Sequence, residues 1–180
     1  MISNEHGFNF IEIPFSGGDL FLDSFRESNR DLKEDENLLD KSIEYHNLCI
    51  VKNPYQRAAS LYKNGMQLRK EYDLKSQNFS TYFENILNNW GDPVEGDKFT
   101  SQYSYIKDYD DIDIFKYEDL LKSWQYINEY IAEIGLNTIR YYTDPDKIKK
   151  WKDHYKESTA VEIVNYIFEE DFENLGYSKL

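Results

Sequence analysis

Two short segments of the chain carry residues whose types and spacing suit the binding of a phosphate or sulfate group. One follows a short β-prone run and reads Pro14, Phe15, Ser16, Gly17 and Gly18, a segment we call the glycine turn. Its two glycines permit a tight turn with inward-pointing amides, and a strand, such a turn and a helix in succession can cradle a phosphate. The alternative is an ordinary tight turn, because the Gly-Lys-Ser/Thr of a Walker A loop is absent.

The other segment begins with a lysine at the end of a continuous apolar run. Lys52 follows Leu-Cys-Ile-Val, the pattern of a strand buried on both faces, and Asn53-Pro54 then begins a helix that includes Arg57 and Ser60. A cation and a hydroxyl on either side of a helix N-terminus can hold a phosphate. The alternative is a lysine that caps the helix and a serine in the core.

The elements that must position these segments alternate between strands and helices. Short β-prone runs predict strands at residues 8–13, 48–51 and 112–116. Apolar spacing predicts helices at about residues 20–29, 54–72, 79–89, 120–134, 146–155 and 161–172. This order is typical of the α/β class with a small parallel sheet, in which ligands bind at the carboxyl ends of the strands. No linker or repeat is visible, so we expect one domain over residues 1–180.

Composition and charge disfavour several classes of function. The 180 residues include 34 Asp or Glu and 21 Lys or Arg, for a formal net charge of -13. This charge disfavours nucleic acid and anionic membrane surfaces as partners, and no apolar run approaches the roughly 18 residues of a membrane span. Cys49 is the only cysteine, which excludes an internal disulfide and a cysteine-based zinc site. The N-terminus carries no secretory signal, so we expect a cytoplasmic protein.

Five segments, in order, resemble the sulfotransferases that use 3′-phosphoadenosine-5′-phosphosulfate (PAPS). Residues 13–18 (IPFSGG) are similar to the family's IPKTGG loop, and residues 51–62 (VKNPYQRAASLY) are similar to its VRDPYERFVSAY segment. Three later segments of this chain also resemble segments of the family: FTSQY at residues 99–103, IFKYEDL at 114–120 and YIFEEDFENLGY at 166–177. The resemblance spans nearly the whole chain and is nearest to the carbohydrate-type enzymes and their small bacterial and phage relatives.

The resemblance implies a fold and a set of roles. The implied fold is a P-loop-like three-layer sandwich with a small central parallel sheet. The glycine turn would hold the 5′-phosphosulfate, Lys52 and Ser60 would hold the 3′-phosphate, and Gln102 would lie near the acceptor or the nucleotide. A late basic segment would approach the nucleotide through Lys147, Lys149, Lys150, Lys152 and His154. PAPS would be the cosubstrate, no metal would be needed, and the acceptor would be a hydroxyl, with a carbohydrate as the first candidate.

Several of these roles have structural alternatives. Gln102 can make an ordinary loop hydrogen bond, and Arg57, which also matches a family position, can form an ion pair that supports its helix. The late basic segment can be a solvated helix face.

The departures from the family pattern fall on the reacting centre. Phe15 stands in place of the loop lysine that stabilises the bridging oxygen as the sulfuryl group leaves, and losing one such donor typically costs ~3–4 kcal/mol. Asp19 stands in place of a threonine, where we expect it to cap the helix, occupy the amides and repel an anion. A replacement cation would come from Arg26, Lys63 or a lysine near residue 149.

Three hypotheses follow for the activity. The first is a sulfotransferase, and the second is a catalytically inactive member of the same fold that binds a nucleotide or a partner. The third and weakest is a P-loop kinase relative, which the missing Walker A sequence disfavours. The general base is not identified. His46 is expected at the amino end of its strand, ~20 Å from the carboxyl edge, and is interpreted as structural, while His154 has no assigned acidic partner.

Overall fold

The structure, a computed structural model, describes residues 1–30, 44–71, 77–88, 99–138, 150–156 and 158–180. Over these ranges the chain is α/β, and its four strands form a small, mostly parallel, open sheet. Two compact units are distinguished. The first consists of Met1–Lys52 with Tyr105–Thr143, and the second consists of Asn53–Ser104 with Asp144–Leu180.

The sheet belongs to the first unit and has the order β1-β2-β3-β4. Its strands are β1 (Ile2–Ser3), β2 (Phe8–Ile11), β3 (His46–Val51) and β4 (Asp113–Lys116). β1 pairs antiparallel with β2, whereas the pairs β2–β3 and β3–β4 are parallel. The residues that follow β2, β3 and β4 therefore leave the sheet at the same edge, with β3 in the middle.

One face of this sheet is covered by two helices of the same unit, α1 (Gly18–Ser28) and α4 (Leu120–Glu133). Side chains alternate between the faces of a strand, which puts Phe8, Phe10, Leu48 and Ile50 on one face. They form a buried core with α1 and α4 through Phe21, Leu22, Phe25, Ile127 and Ile131. The stacked rings of Phe10 and Phe21, with centroids 4.5 Å apart, fix the start of α1 over the end of β2.

The second unit is helical where the structure describes it. It contains α2 (Pro54–Glu71), α3 (Phe79–Asn88), a 3-10 segment (Lys150–Tyr155), α5 (Ser158–Ile167) and α6 (Glu169–Asn174). Aromatic rings hold these elements together. Tyr55 of α2 packs against Tyr155 and Phe172, and Phe79 of α3 packs against Phe83 and Tyr155.

Several predicted elements are corrected. β2 ends at Ile11 rather than at residue 13, and the two-residue β1 was not predicted because so short a strand has no detectable alternation. The single helix predicted over 161–172 is two helices, separated at Phe168. The basic helix predicted over 146–155 is a 3-10 segment in its described part. The sequence also predicts a solvated charge run at residues 31–36 (DLKEDE) and a helix break at 90–93 (WGDP), and both segments lie outside the described residues.

Candidate functional site

The glycine turn connects β2 to α1 and is closed by its own hydrogen bonds. The amide and the hydroxyl of Ser16 both donate to the carbonyl of Ile13, at 3.2 and 2.8 Å, and the amide of Gly18 donates to Oγ of Ser16 at 3.4 Å. Ser16 is fully buried, so its side chain shapes the turn from inside. Because the Ser16 amide is engaged within the turn, a phosphosulfate would have to take the amides that follow it.

Two residues of the turn have left-handed backbone. Gly17 has φ 98°, a conformation that glycine adopts without strain. Phe15 has φ 63°, which for an aromatic side chain costs ~1–3 kcal/mol and persists only where the surrounding structure enforces it. Such strain is found mainly at ligand clamps and active sites, so the conformation of Phe15 marks this turn as a candidate functional element.

The start of α1 offers backbone amides to an anion. The N-cap is Gly17, which has no side chain to cap the helix, and Asp19 is the second helical residue. Of the first helical amides, that of Gly18 is already accepted by Oγ of Ser16. The prediction that Asp19 caps the helix is therefore wrong, because left-handed Gly17 lets the helix begin earlier. The first amides of a helix have no intrahelical acceptor and lie at the positive end of its dipole. The exposed Asp19 carboxylate still lies in the first turn, where it repels the same anion.

Lys52 lies at the same edge of the sheet. The register pairs Val51 with Lys116, so Lys52 and Tyr117 directly follow paired residues of β3 and β4, whereas β2 ends at Ile11, the partner of Cys49. The Lys52 side chain is buried, with 8% of its surface exposed. Its Nζ lies 4.2 Å from the centroid of the Tyr117 ring, within range of a cation–π interaction. The structure thus brings together the two segments of the first unit that the sequence singled out.

Tyr117 joins these two segments, and the sequence analysis did not assign it a role. It follows β4 and begins a 3-10 segment (Tyr117–Asp119). A Cβ atom built on Gly17 would lie only 2.4 Å from Cδ2 of Tyr117, so the ring contacts the turn where just a glycine fits. Its position directly after the third parallel strand was the signal that could have identified it. We call Gly17, Lys52 and Tyr117 the edge cluster.

The candidate replacements for the missing loop lysine have different locations. Arg26 lies in the last turn of α1, about 12 Å along the helix from its start at 1.5 Å per residue, and is exposed. This distance excludes Arg26 as a cation for the turn. Lys63 is an exposed residue of α2 in the second unit. Lys149 and Lys147 lie outside the described residues.

The second unit contains the beginning of α2 as predicted. Pro54 is its first residue, and Oδ1 of Asn53 accepts the amide of Tyr55 at 3.0 Å, as an N-cap should. Ser60 lies in the second turn, half-buried, and its hydroxyl donates to the carbonyl of Gln56 at 3.2 Å. The hydroxyl oxygen keeps a lone pair for a donor, but its proton is engaged by the helix.

Arg57 and Gln102 lie in the interior of the second unit. Both are fully buried, as is Asp171. Nη1 of Arg57 donates to the carbonyl of Thr100 at 2.9 Å, and Nε2 of Gln102 donates to Oδ2 of Asp171 at 3.1 Å. Burial raises the pKa of Asp171, while Arg57 and the hydrogen bonds oppose that shift. The Gln102 hydrogen bond is compatible with its structural alternative, and Arg57 interacts with a carbonyl and electrostatically with Asp171. An acceptor role for Gln102 stays a prediction.

The remaining candidates are distributed over both units. In the second unit, His154 stacks on Phe79 with ring centroids 4.9 Å apart, and burial lowers the pKa of His154. Lys152 is exposed, and of Lys150 only the backbone is described. In the first unit, His46 stacks on Tyr130 and its Nε2 lies 2.9 Å from Oδ2 of Asp113. This pairing at the amino edge of the sheet agrees with a structural role for His46.

Cys49, the single cysteine of the chain, is buried. Burial raises the pKa of Cys49 to about 12, so the nucleophilic thiolate is not populated at neutral pH. The described residues contain no group of three or more His, Cys, Asp or Glu arranged to hold a metal ion. No helix in the described part of the chain is long and apolar enough to span a membrane.

Comparison of the chain with family models, with curated proteins and with solved structures gave no match in any of the three. The features that bear on function are therefore the edge cluster, the start of α1 and the five sequence segments that resemble the PAPS-dependent sulfotransferases.

Proposed function

We propose that this chain is a sulfotransferase-like protein that binds PAPS at the carboxyl edge of its sheet and transfers the sulfuryl group to a hydroxyl acceptor. A carbohydrate is the first candidate for the acceptor. In this reaction the acceptor oxygen forms a bond to sulfur, and the bond from sulfur to the bridging 5′-phosphate oxygen breaks. The electron pair of that bond stays on the phosphate of 3′-phosphoadenosine-5′-phosphate, and the acceptor proton passes to a base or to water.

One observation carries the proposal. A buried lysine follows the central parallel strand and lies over the Tyr117 ring, which packs against the left-handed Gly17 of the glycine turn. Helix amides, a lysine and a left-handed turn together favour an anionic ligand. Nucleotide ligands of parallel α/β sheets bind at this edge.

The same proposal includes a P-loop-like three-layer sandwich fold, a cytoplasmic location and a requirement for PAPS without a metal ion. They come from the resemblance and from the sequence composition. The net charge of -13 adds the expectation that nucleic acid and anionic membranes are not partners.

A second candidate is a catalytically inactive protein of the same fold that binds a nucleotide. Phe15 favours it, because a neutral aromatic side chain stands where the family has its loop lysine. The Asp19 carboxylate in the first turn of α1 favours it as well. Phe15→Lys separates the two candidates. A weakened enzyme should gain PAPS turnover by ~10-fold or more, whereas an inactive protein should gain none.

The first experiment is a calorimetric titration of the protein with 3′-phosphoadenosine-5′-phosphate, at low and moderate salt. We expect binding that Lys52→Ala weakens by about tenfold or more, because a charge-assisted hydrogen bond is lost. Lys107→Ala is the matched control, since Lys107 is an exposed lysine of the same unit. Absence of binding to the folded protein at about 1 mM nucleotide would overturn the proposal.

A further inference from the structure

We propose that Tyr117 positions the Lys52 ammonium against the glycine turn, so that Lys52 supplies the positive charge for the 5′-phosphosulfate that Phe15 cannot supply. This inference rests on the proposed function and refines it, because the resemblance alone assigns Lys52 to the 3′-phosphate. Tyr117 is a positioning residue here, and Lys52 is the group that touches the nucleotide.

The side chain of Lys52 is held in one position. A lysine stem has four rotatable bonds, and a surface lysine samples many positions. Lys52 is instead buried, with its Nζ over the face of an aromatic ring at 4.2 Å from the centroid. A cation–π contact is stronger when the cation is desolvated, so it favours keeping the buried ammonium at that face.

The Tyr117 ring is in turn held against the glycine turn. The edge of the Tyr117 ring packs so closely on Gly17 that no side chain fits between them. Gly17 is the N-cap of α1 and has left-handed backbone, so its conformation and that of the helix start are linked. The same ring therefore contacts both the glycine turn and the Lys52 ammonium.

The transfer reaction requires a positive charge near the glycine turn. As the bond from sulfur to the bridging oxygen breaks, negative charge develops on the 5′-phosphate, and a preorganised cation stabilises it. Among the described lysine and arginine side chains of the first unit, Lys52 is the buried one, since Arg26, Arg30 and Lys107 are exposed and Lys116 is half-buried. The ammonium acts as a charge and a hydrogen-bond donor, and it transfers no proton in this step.

The experiment asks which phosphate Lys52 contacts. Wild type, Lys52→Ala and the control Lys107→Ala are titrated with adenosine 5′-monophosphate, adenosine 3′-monophosphate and the 3′,5′-bisphosphate. We expect Lys52→Ala to weaken the two ligands that carry a 5′-phosphate by about tenfold or more and to change the 3′-monophosphate by less than about twofold.

The possible failures are distinguishable. If Lys52→Ala weakens the 3′-monophosphate and spares the 5′-monophosphate, this inference is overturned while the proposed function stands. If the folded wild type binds none of the three nucleotides, both are overturned. A second measurement needs no variant at Lys52: in the wild type, the 5′-monophosphate should slow acetylation of Lys52 by acetic anhydride, measured by mass spectrometry, and the 3′-monophosphate should not. Protection by the 3′-monophosphate alone contradicts the inference.

The role of Tyr117 has its own readout in nucleotide-free protein. Tyr117→Leu removes the ring face and should raise the acetylation rate of Lys52, relative to that of Lys107, by about threefold or more. Tyr117→Phe keeps the ring and should leave that ratio within about twofold, which also serves if the leucine variant does not fold. Equal Lys52 labelling in the wild type and a folded Tyr117→Leu would show that Tyr117 does not position the lysine.

Discussion

Lys52 and Arg57 are two buried cations in one short segment of chain, and each belongs to a different compact unit. Lys52 follows the central strand of a parallel sheet, over the face of the neutral Tyr117 ring and beside the glycine turn. Arg57 lies inside a helical unit, where it donates to the Thr100 carbonyl and acts electrostatically on Asp171.

The difference shows that burial of a cation does not by itself identify a ligand site. The charge of Arg57 is used within its own unit, because a buried carboxylate and a carbonyl oxygen both interact with it. Lys52 occupies the edge of the sheet at which α/β proteins bind ligands. We therefore read Arg57 as structural and Lys52 as functional, and loss of charge should destabilise the protein more at Arg57 than at Lys52.

The largest expected effect is a difference in stability between two matched variants. Arg57→Met should lower the free energy of unfolding by ~3–5 kcal/mol, because the Asp171 carboxylate is left in the interior without its cation. Lys52→Met should cost less, about 1–2 kcal/mol, since methionine keeps the packing of the stem and loses the cation–π contact with Tyr117. Urea denaturation of both variants measures the difference.

The control for this pair is the double variant Arg57→Met with Asp171→Asn. Removing the carboxylate charge as well should restore part of the stability lost in Arg57→Met, because the two residues interact. Equal losses for Arg57→Met and Lys52→Met would remove the distinction between a structural and a functional cation.

The second effect concerns the close approach of Tyr117 to the turn. Gly17→Ala should destabilise the protein by ~2–4 kcal/mol, because alanine is strained at φ 98° and its Cβ would lie 2.4 Å from the Tyr117 ring. Gly135→Ala is the matched control. Gly135 also has positive φ, 79°, but no atom lies within 4 Å of its added Cβ, so about 1 kcal/mol is expected. Thermal denaturation measures the stability of both variants. Equal losses of stability would contradict the close contact between Gly17 and the Tyr117 ring.

The third effect is a pH dependence that belongs to the interior of the second unit. Burial raises the pKa of Asp171 above its ordinary value of 3.8, so the folded protein keeps a proton that the unfolded chain has already released. The free energy of unfolding should therefore decrease as the pH rises from 3.8 through the raised pKa, and this contribution should be constant above it.

Asp171→Asn removes this titration. As the pH rises through the same window, the free energy of unfolding of the variant should therefore increase relative to that of the wild type. Urea denaturation at a series of pH values measures it, with Asp108→Asn as the control because Asp108 is an exposed aspartate. A difference that stays constant with pH would show that Asp171 has the same pKa in the folded and unfolded states.

Local patterns in the sequence were sufficient for some elements of this fold. The run from Leu48 to Val51 is buried along its whole length, as its continuous apolar character predicts. The Asn53-Pro54 pair correctly placed the start of α2, because capping and proline geometry depend only on neighbouring residues.

Other features depend on contacts between distant segments, which a local pattern does not contain. Tyr117 meets Gly17 because β3 separates β2 from β4, and strand order is a property of the whole sheet. Gln102 is bonded to Asp171, a residue 69 positions away in the chain, so its burial was not predicted. The cap of α1 was assigned to Asp19 because the left-handed backbone of Gly17 is not specified by residue type alone.

The smallest expected effect tests the electrostatics of the glycine turn. Asp19→Asn removes a negative charge from the first turn of α1 and should raise the affinity for 3′-phosphoadenosine-5′-phosphate by about two- to threefold at low salt. Asp23→Asn is the matched control, because Asp23 is an exposed residue of the same helix one turn further on and should change the affinity less. The gain should shrink as salt is added, since the carboxylate is exposed and its field is screened. An equal gain for both variants, measured by calorimetry, would mean that the nucleotide responds to net charge alone and that the start of α1 is not its binding site.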